Sequence, residues 1–235
     1  MIIYIYFTTL KQYKNSGRPI KEIDMLISQE CYKGLYLEGK SEDELMAQTQ
    51  VLHREIERLK RIIESPAYYY ENHPYPDEAA QIIACRRYLA IAKEYVLRVG
   101  EYSPTPIELA SEKTDALIEK IEKITLTAGR YLEKKFQLIF KENIAVLRKS
   151  TLEGERTESE IERPFAEREI YELHMGEWRD NYQPEDYGAS LNEPLHWQVR
   201  IDYTDSIPPK FFEGAGVFPY NFDRFAALMG ASDAI

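Results

Sequence analysis

The chain has 235 residues, of which 44% are hydrophobic and 30% charged, and its formal net charge is −10. A chain of this length buries roughly 70–75% of its unfolded surface, so its core requires neither a disulfide nor a metal. Two cysteines are too few for a secreted, disulfide-linked scaffold, and we therefore expect a cytoplasmic protein.

The first part of the chain carries helical patterns. The apolar run Ile2–Phe7 is too short to span a bilayer and predicts a buried strand or helical turn, so no membrane segment is expected. A helix is predicted from Pro19 to about Gly34. Ser41 and Glu44 have the spacing of a capping box, and the helix that they open should end at Ser65, before a proline.

The next predicted helix runs from about Asp77 to Gly100. Its apolar residues cover most of its circumference, which is typical of a helix at the centre of a bundle. The main apolar stripe consists of Ile82, Cys85, Leu89, Ala92, Val96 and Val99, and Ile83, Ala90 and Leu97 widen it.

A heptad-like pattern follows. Thr105 and Glu108 flank a proline in the order expected at a helix start. From there, apolar residues recur in alternating steps of three and four over 107–131, which indicates helices packed side by side. One long helix over 106–148 and a pair of helices that break at Gly129 are both compatible with this pattern, and the glycine favours a break.

The character of the sequence changes near residue 150. Residues 150–163 are polar and charged, and we expect a solvated connector there. Beyond it, apolar residues alternate at Tyr171, Leu173 and Met175 and again over 197–203, which predicts a small antiparallel pair of strands.

These patterns together predict a mainly α fold. Residues 1–149 are expected to form a bundle of five to six helices. Residues 150–163 would connect it to a small, irregular α/β extension over 164–235, which is acidic, rich in aromatic residues and packed on the bundle.

The negative charge is concentrated at one end of the sequence. Residues 151–235 contain seven Lys or Arg and eighteen Asp or Glu, a net charge of −11, whereas residues 1–150 have a net charge of +1. This excess disfavours nucleic acid as a ligand of the C-terminal region, because binding to phosphates relies on Lys and Arg. It is compatible with a basic protein partner and equally with a role in solubility alone.

Two segments combine aromatic and polar residues in a way typical of binding surfaces. They compete with the simpler interpretation that the rings cover helix ends and core edges. The candidate partner-binding residues are Tyr68, Tyr69, Tyr70 and Tyr75 in the loop 65–76, and Trp178, Tyr182, Glu185, Asp186 and Tyr187.

The sequence contains no convincing catalytic motif. The four histidines and two cysteines lack the spacing of a zinc site, and no glycine-rich phosphate loop is present, so neither a metal nor a cofactor is expected. Glu112 and Asp115 have a spacing used by helical magnesium sites, and so do Glu119 and Glu122, but solvated charges on a helix face explain these acids better.

The sequence thus favours a protein-interaction module over an enzyme. It would act as an inhibitor or immunity-type protein that binds a basic partner through its acidic C-terminal region. Two alternatives are a metal-dependent hydrolase acting on nucleotides in a helical bundle, and an assembly component that pairs through the seam at 107–131.

Overall fold

The computed structural model describes residues 27–68, 77–150 and 156–232. The element expected at Ile2–Phe7, and most of the helix expected over 19–34, lie outside these ranges. The helices are α1 (Gln29–Tyr32), α2 (Glu42–Glu64), α3 (Glu78–Val99), α4 (Pro106–Asp115), α5 (Arg163–Glu172) and α6 (Phe222–Leu228). The strands are β1 (Ile121–Gly129), β2 (Lys134–Phe140), β3 (Ile144–Ser150), β4 (Arg156–Glu162), β5 (Asn181–Tyr182), β6 (His196–Tyr203) and β7 (Lys210–Ala215).

Helix α2 begins and ends where the sequence predicts. The Ser41 side chain accepts a hydrogen bond from the backbone N–H of Glu44, and the Glu44 carboxylate accepts one from the backbone N–H of Ser41, so the capping box is confirmed. Ser65 caps the other end. The predicted capping box of Thr105 and Glu108 also forms and opens α4.

Helix α3 packs against α2 along one side only. Most of its predicted stripe is buried, with Cys85, Ala92 and Val96 fully enclosed, but Val99 at the end of the stripe is 54% exposed. Ile83 and Leu97 are 52% and 63% exposed, so the expected place of this helix at the centre of a bundle is wrong. The two helices form the helical core together with residues of the short α1 region.

The second half of the chain forms a seven-stranded sheet with the order β4-β3-β2-β1-β6-β7-β5. All neighbouring strands are antiparallel except β5 and β7, which are parallel. One face of the sheet is buried under α5, α6 and the connecting segments, and this forms the sheet core. The other face presents mostly polar side chains, among them Lys123, Thr125, Gln137, Gln198 and Arg200.

The prediction of a mainly α, all-helical bundle is therefore wrong. The seam expected over 107–131 is helical only to Asp115, and β1, β2 and β3 replace the predicted helix or helices over 106–148. A step of four residues fits both a helix turn and two strand repeats, so Ile124 and Ala128 matched the helical pattern. Leu126, buried between them, shows that the true period is two.

The segment 150–163 contains β4 and the first residue of α5, and β4 pairs with β3 along its whole length. The boundary expected near residue 150 thus falls between neighbouring strands of one sheet. The strand expected at Tyr171–Met175 is wrong, because these residues end α5 and form a 3-10 turn. The strand expected over 197–203 is confirmed as β6, although it pairs with β1 and β7.

None of the described helices is both long enough and apolar enough to cross a membrane.

Candidate functional site

Four side chains meet where the helical core and the sheet core come together, and we call Lys60, Arg86, Glu177 and Tyr220 the junction cluster. Arg86 donates two hydrogen bonds to Glu177, from Nη1 to Oε1 at 2.8 Å and from Nη2 to Oε2 at 2.6 Å. Lys60 Nζ lies 2.5 Å from Glu177 Oε2. Arg86 Nη2 also donates to the Tyr220 hydroxyl at 2.9 Å. The cluster connects α2 and α3 to the C-terminal half of the chain.

The charges of the junction cluster are buried and compensate one another. The side chain of Lys60 is 5% exposed and that of Glu177 is 11% exposed. Burial alone would raise the pKa of Glu177, but Arg86 and Lys60 outweigh it and lower the pKa to about 2. Burial likewise opposes the charge on Lys60, and Glu177 and Glu57 overcome this effect and raise its pKa. These groups are therefore charged at neutral pH.

A second buried carboxylate extends the contact toward the surface. Glu64 accepts a hydrogen bond from the Tyr187 hydroxyl at 2.8 Å and pairs with Arg179 Nη2 at 3.2 Å. Burial raises the pKa of Glu64, and these donors offset only part of the effect. The end of α2 is thereby tied to the 3-10 turn Pro184–Tyr187.

A separate polar group lies within the helical half, and we call His53, Lys93, Tyr102 and Glu108 the helical cluster. The Tyr102 hydroxyl donates to Glu108 Oε2 at 2.8 Å and lies 3.0 Å from His53 Nε2. Lys93 forms an ion pair with Glu108. Burial opposes the charge on Glu108, but the Lys93 ammonium and the Thr105 N–H outweigh it and lower the pKa. Burial lowers the pKa of His53, which favours the neutral imidazole.

In both clusters the central carboxylate forms ion pairs with Lys or Arg side chains. Across the ranges 27–68, 77–150 and 156–232, no group of three or more His, Cys, Asp or Glu side chains is placed to hold a metal ion. Asp115, one of the acids considered for magnesium, is partly buried, and burial together with nearby Glu177 raises its pKa. The magnesium chemistry considered for this helix thus gains no structural support.

An open cleft of about 570 Å³ lies beside the junction cluster, at the end of α2. One wall consists of residues from the last two turns of α2 and the loop that follows, and the other of residues from the 3-10 turn Pro184–Tyr187. Its lining residues are Arg58, Arg61, Ile62, Ser65, Ala67, Tyr68, Asp186 and Tyr187.

The cleft brings together three of the candidate partner-binding residues. Tyr68, Asp186 and Tyr187 line it although more than a hundred positions separate the first from the other two. Glu185 is exposed on the neighbouring turn. Tyr69, Tyr70 and Tyr75 lie outside the described residues.

Two candidates belong to the sheet core instead. Trp178 is 5% exposed, donates from Nε1 to Asn221 Oδ1 at 2.9 Å and packs edge-on against Phe225. Tyr182 is 1% exposed, and its hydroxyl accepts a hydrogen bond from the backbone N–H of Arg179. Neither ring is accessible to a partner in this fold.

Among the described residues, ion pairs within the protein neutralise nine of the eighteen carboxylates that residues 151–235 contain. Many of their partners come from the first 150 residues, such as Arg148 for Glu158 and Lys120 for Asp205. Carboxylates paired with Lys or Arg are Glu158, Glu167, Glu169, Glu172, Glu177, Asp186, Glu193, Asp202 and Asp205. The uncompensated negative charge therefore lies on the remaining acids rather than on the region as a whole.

The cations of these sites are not recognisable from the sequence. The only signal was the run Arg58-Leu-Lys60-Arg61 near the end of a helix in an otherwise neutral half. Nothing in that run shows that Lys60 turns inward while Arg58 and Arg61 line a cleft, because this depends on residues more than a hundred positions away.

Comparison of the chain with protein-family models, with curated proteins and with solved structures found no significant match. Its function is therefore inferred from its own geometry and chemistry.

Proposed function

We propose that the protein is an interaction module that binds a basic, extended segment of a partner protein along the outer edge of β4. The supporting observation is that β4 is a seven-residue edge strand bearing a row of carboxylates. Adding a strand to such an edge is a common mode of peptide recognition, in which main-chain hydrogen bonds supply affinity and side chains supply specificity.

The two edges of the sheet differ in length. At one end, β5 contains only two residues, which blunts that edge. At the other end, β4 pairs with β3 from Arg156 to Glu162, and in the described part of the chain no strand pairs with its outer side. The N–H and C=O groups directed outward are available to an incoming strand.

The acids on β4 form a row. Glu158, Glu160 and Glu162 share one face, because side chains two residues apart in a strand point the same way. Glu158 is already paired with Arg148 at 2.7 Å. Glu160 and Glu162 have no lysine or arginine partner among the described residues. Cations on an added strand would lie opposite them, at a Cβ separation of roughly 4.5–5.5 Å.

Charged residues on an edge strand also have a protective role, since they discourage pairing between copies of a protein. That role requires only that strands be repelled, whereas a binding site must select strands of opposite charge. Charge selectivity therefore distinguishes the two interpretations.

The proposal is tested with a fluorescent ten-residue peptide of alternating Lys and Thr, and with a matched peptide in which Glu replaces Lys. We expect saturable binding of the Lys peptide alone, weakening as salt is added. Substituting Glu160→Gln and Glu162→Gln together should reduce its affinity about tenfold, because each cross-strand ion pair contributes roughly 0.2–1 kcal/mol. Hydrogen exchange should show new protection of β4 amides.

The matched control is the pair Asp180→Asn and Glu213→Gln, which removes the same charge near β5 from exposed positions. Equal loss of affinity in both double variants would reduce the effect to net charge and contradict the proposal. Equal binding of the Glu peptide, or unchanged exchange at β4, would contradict it as well.

We propose a cytoplasmic setting for this role. Neither cysteine is in a disulfide, and burial raises the pKa of the Cys85 thiol to about 12, so it stays protonated and unreactive. The assembly alternative loses its basis, because the seam over 107–131 is not a continuous helix.

A further inference from the structure

The cleft at the end of α2 has a charge balance opposite to that of β4. Its charged lining consists of Arg58, Arg61 and Asp186. Arg58 forms two hydrogen bonds with Glu55, at 2.6 Å and 2.9 Å, and Asp186 pairs with Arg179 at 3.5 Å. Arg61 has no ion pair or hydrogen bond within the part of the chain that the structure describes. One guanidinium at the cleft is therefore available to a ligand.

The remaining lining is aromatic and apolar. The Tyr187 hydroxyl donates to Glu64 at 2.8 Å, and the Tyr68 hydroxyl lies 3.2 Å from Glu78 Oε2, which holds each ring in place. Ile62 and Ala67 add apolar surface. A volume of about 570 Å³ lies within the range of sites for small organic ligands.

We propose that this cleft binds a small organic anion, a phosphate or carboxylate attached to an aromatic or apolar body. Arg61 pairs with the anionic group, since guanidinium forms bidentate hydrogen bonds with both phosphate and carboxylate. The rings of Tyr68 and Tyr187 contact the body of the ligand. This site is separate from the β4 edge and takes a ligand of the opposite charge.

The position of Arg61 has a competing explanation. It lies in the last turn of α2, where a cation stabilises the partial negative charge of the helix end. That effect needs no ligand and is insensitive to what enters the cleft. A ligand titration therefore separates the two explanations.

The titration uses four probes: phenyl phosphate, benzoate, inorganic phosphate and benzylamine. We expect saturable binding of phenyl phosphate, benzoate or both, weaker binding of inorganic phosphate because it lacks the ring, and none of benzylamine. The stronger of the first two identifies the anionic group. Arg61→Gln should weaken this binding roughly tenfold, as expected for loss of a charge-assisted hydrogen bond.

The control is Arg54→Gln, the same change at an exposed position of the same helix that does not line the cleft. In the unaltered protein, amide chemical shifts should change at 58–67 and 184–188 and stay constant in β4, which separates this result from the peptide experiment. Absence of saturable binding by either aromatic anion, equal weakening in both variants, or shifts elsewhere in the fold would overturn the proposal.

Discussion

The junction cluster and the helical cluster use the same chemical groups in different surroundings. Each centres on one glutamate held by a lysine, but Lys60 is 5% exposed whereas Lys93 is 30% exposed. Glu177 reaches partners 117 and 91 positions away and joins the helical half to the sheet half, while Glu108 joins α4 to side chains of α2 and α3. From this difference we expect the contribution of an ion pair to stability to depend on its burial and on which parts of the fold it joins, more than on the chemical groups in it.

The largest expected effect is at the junction. Glu177→Gln keeps the shape of the side chain but leaves the buried charge of Arg86 without a carboxylate and that of Lys60 with only the more exposed Glu57. Because breaking one partner of a buried pair leaves an uncompensated charge, we expect the free energy of unfolding to fall by about 3–5 kcal/mol. Urea denaturation measures the change.

The control for this substitution is Glu57→Gln, at the other carboxylate that contacts Lys60. Its side chain is 45% exposed, so water replaces the lost interaction and the expected change is below about 1 kcal/mol. Similar losses in the two variants would remove the distinction between the buried and the exposed partner.

The intermediate effect is in the helical cluster. Glu108→Gln retains an amide oxygen that can accept the Thr105 N–H but loses the ion pair with Lys93. We expect a loss of about 1.5–3 kcal/mol, the usual range for a hydrogen bond to a charged group. Glu112→Gln, at an exposed position of the same helix, should be nearly neutral when both are compared by urea denaturation. A loss equal to that of Glu177→Gln would contradict the proposed ranking.

The smallest effect is a difference in pH dependence. Burial lowers the pKa of His53 below the value of about 6.5 in an unfolded chain, so the unfolded state binds a proton at higher pH than the native state. Stability is therefore complete above pH 6.5 and falls as the pH drops through the folded-state pKa. His53→Gln should flatten this slope between pH 7 and 5, as measured by thermal unfolding across that range.

Glu177 of the junction cluster affects stability over a more acidic pH range than His53 does. The pKa of Glu177 is lowered to about 2, so its contribution is present above the unfolded pKa of about 4.5 and disappears between pH 4.5 and 2. Glu177→Gln should flatten the slope there and alter the His53 window only slightly, because Glu177 affects the pKa of His53 less than burial and Glu108 do. Loss of the slope between pH 7 and 5 in this variant would contradict the assignment of separate windows.

Local signals in the sequence predicted where α2 and α4 begin. These starts depend on capping residues three positions apart, which are visible without any knowledge of the fold, whereas the end of α4 at Asp115 was not predicted. The strands β1–β3 were missed because Ile124 and Ala128 satisfy both periods, and β4 because its exposed, charged residues resemble a solvated connector.

The candidate site was predictable only in part. Tyr68, Asp186 and Tyr187 have the composition of a binding surface, but their meeting in one cleft depends on how α2 docks onto the sheet. Trp178 and Tyr182 have the same composition and are core residues, since an aromatic ring among acids says nothing about its burial. Nothing in the neighbouring sequence indicates that a charge such as that of Lys60 is buried.

The junction cluster also imposes an order on folding during synthesis. Arg86 precedes its carboxylate, Glu177, by 91 residues, an interval of roughly 5–20 s at typical rates of translation. During that time α2 and α3 can pair on the ribosome, but Lys60 and Arg86 must stay hydrated. The junction cluster is complete only after Tyr220 has left the exit tunnel, so a nascent chain stalled before residue 177 will display a helical hairpin in which Lys60 and Arg86 are still hydrated.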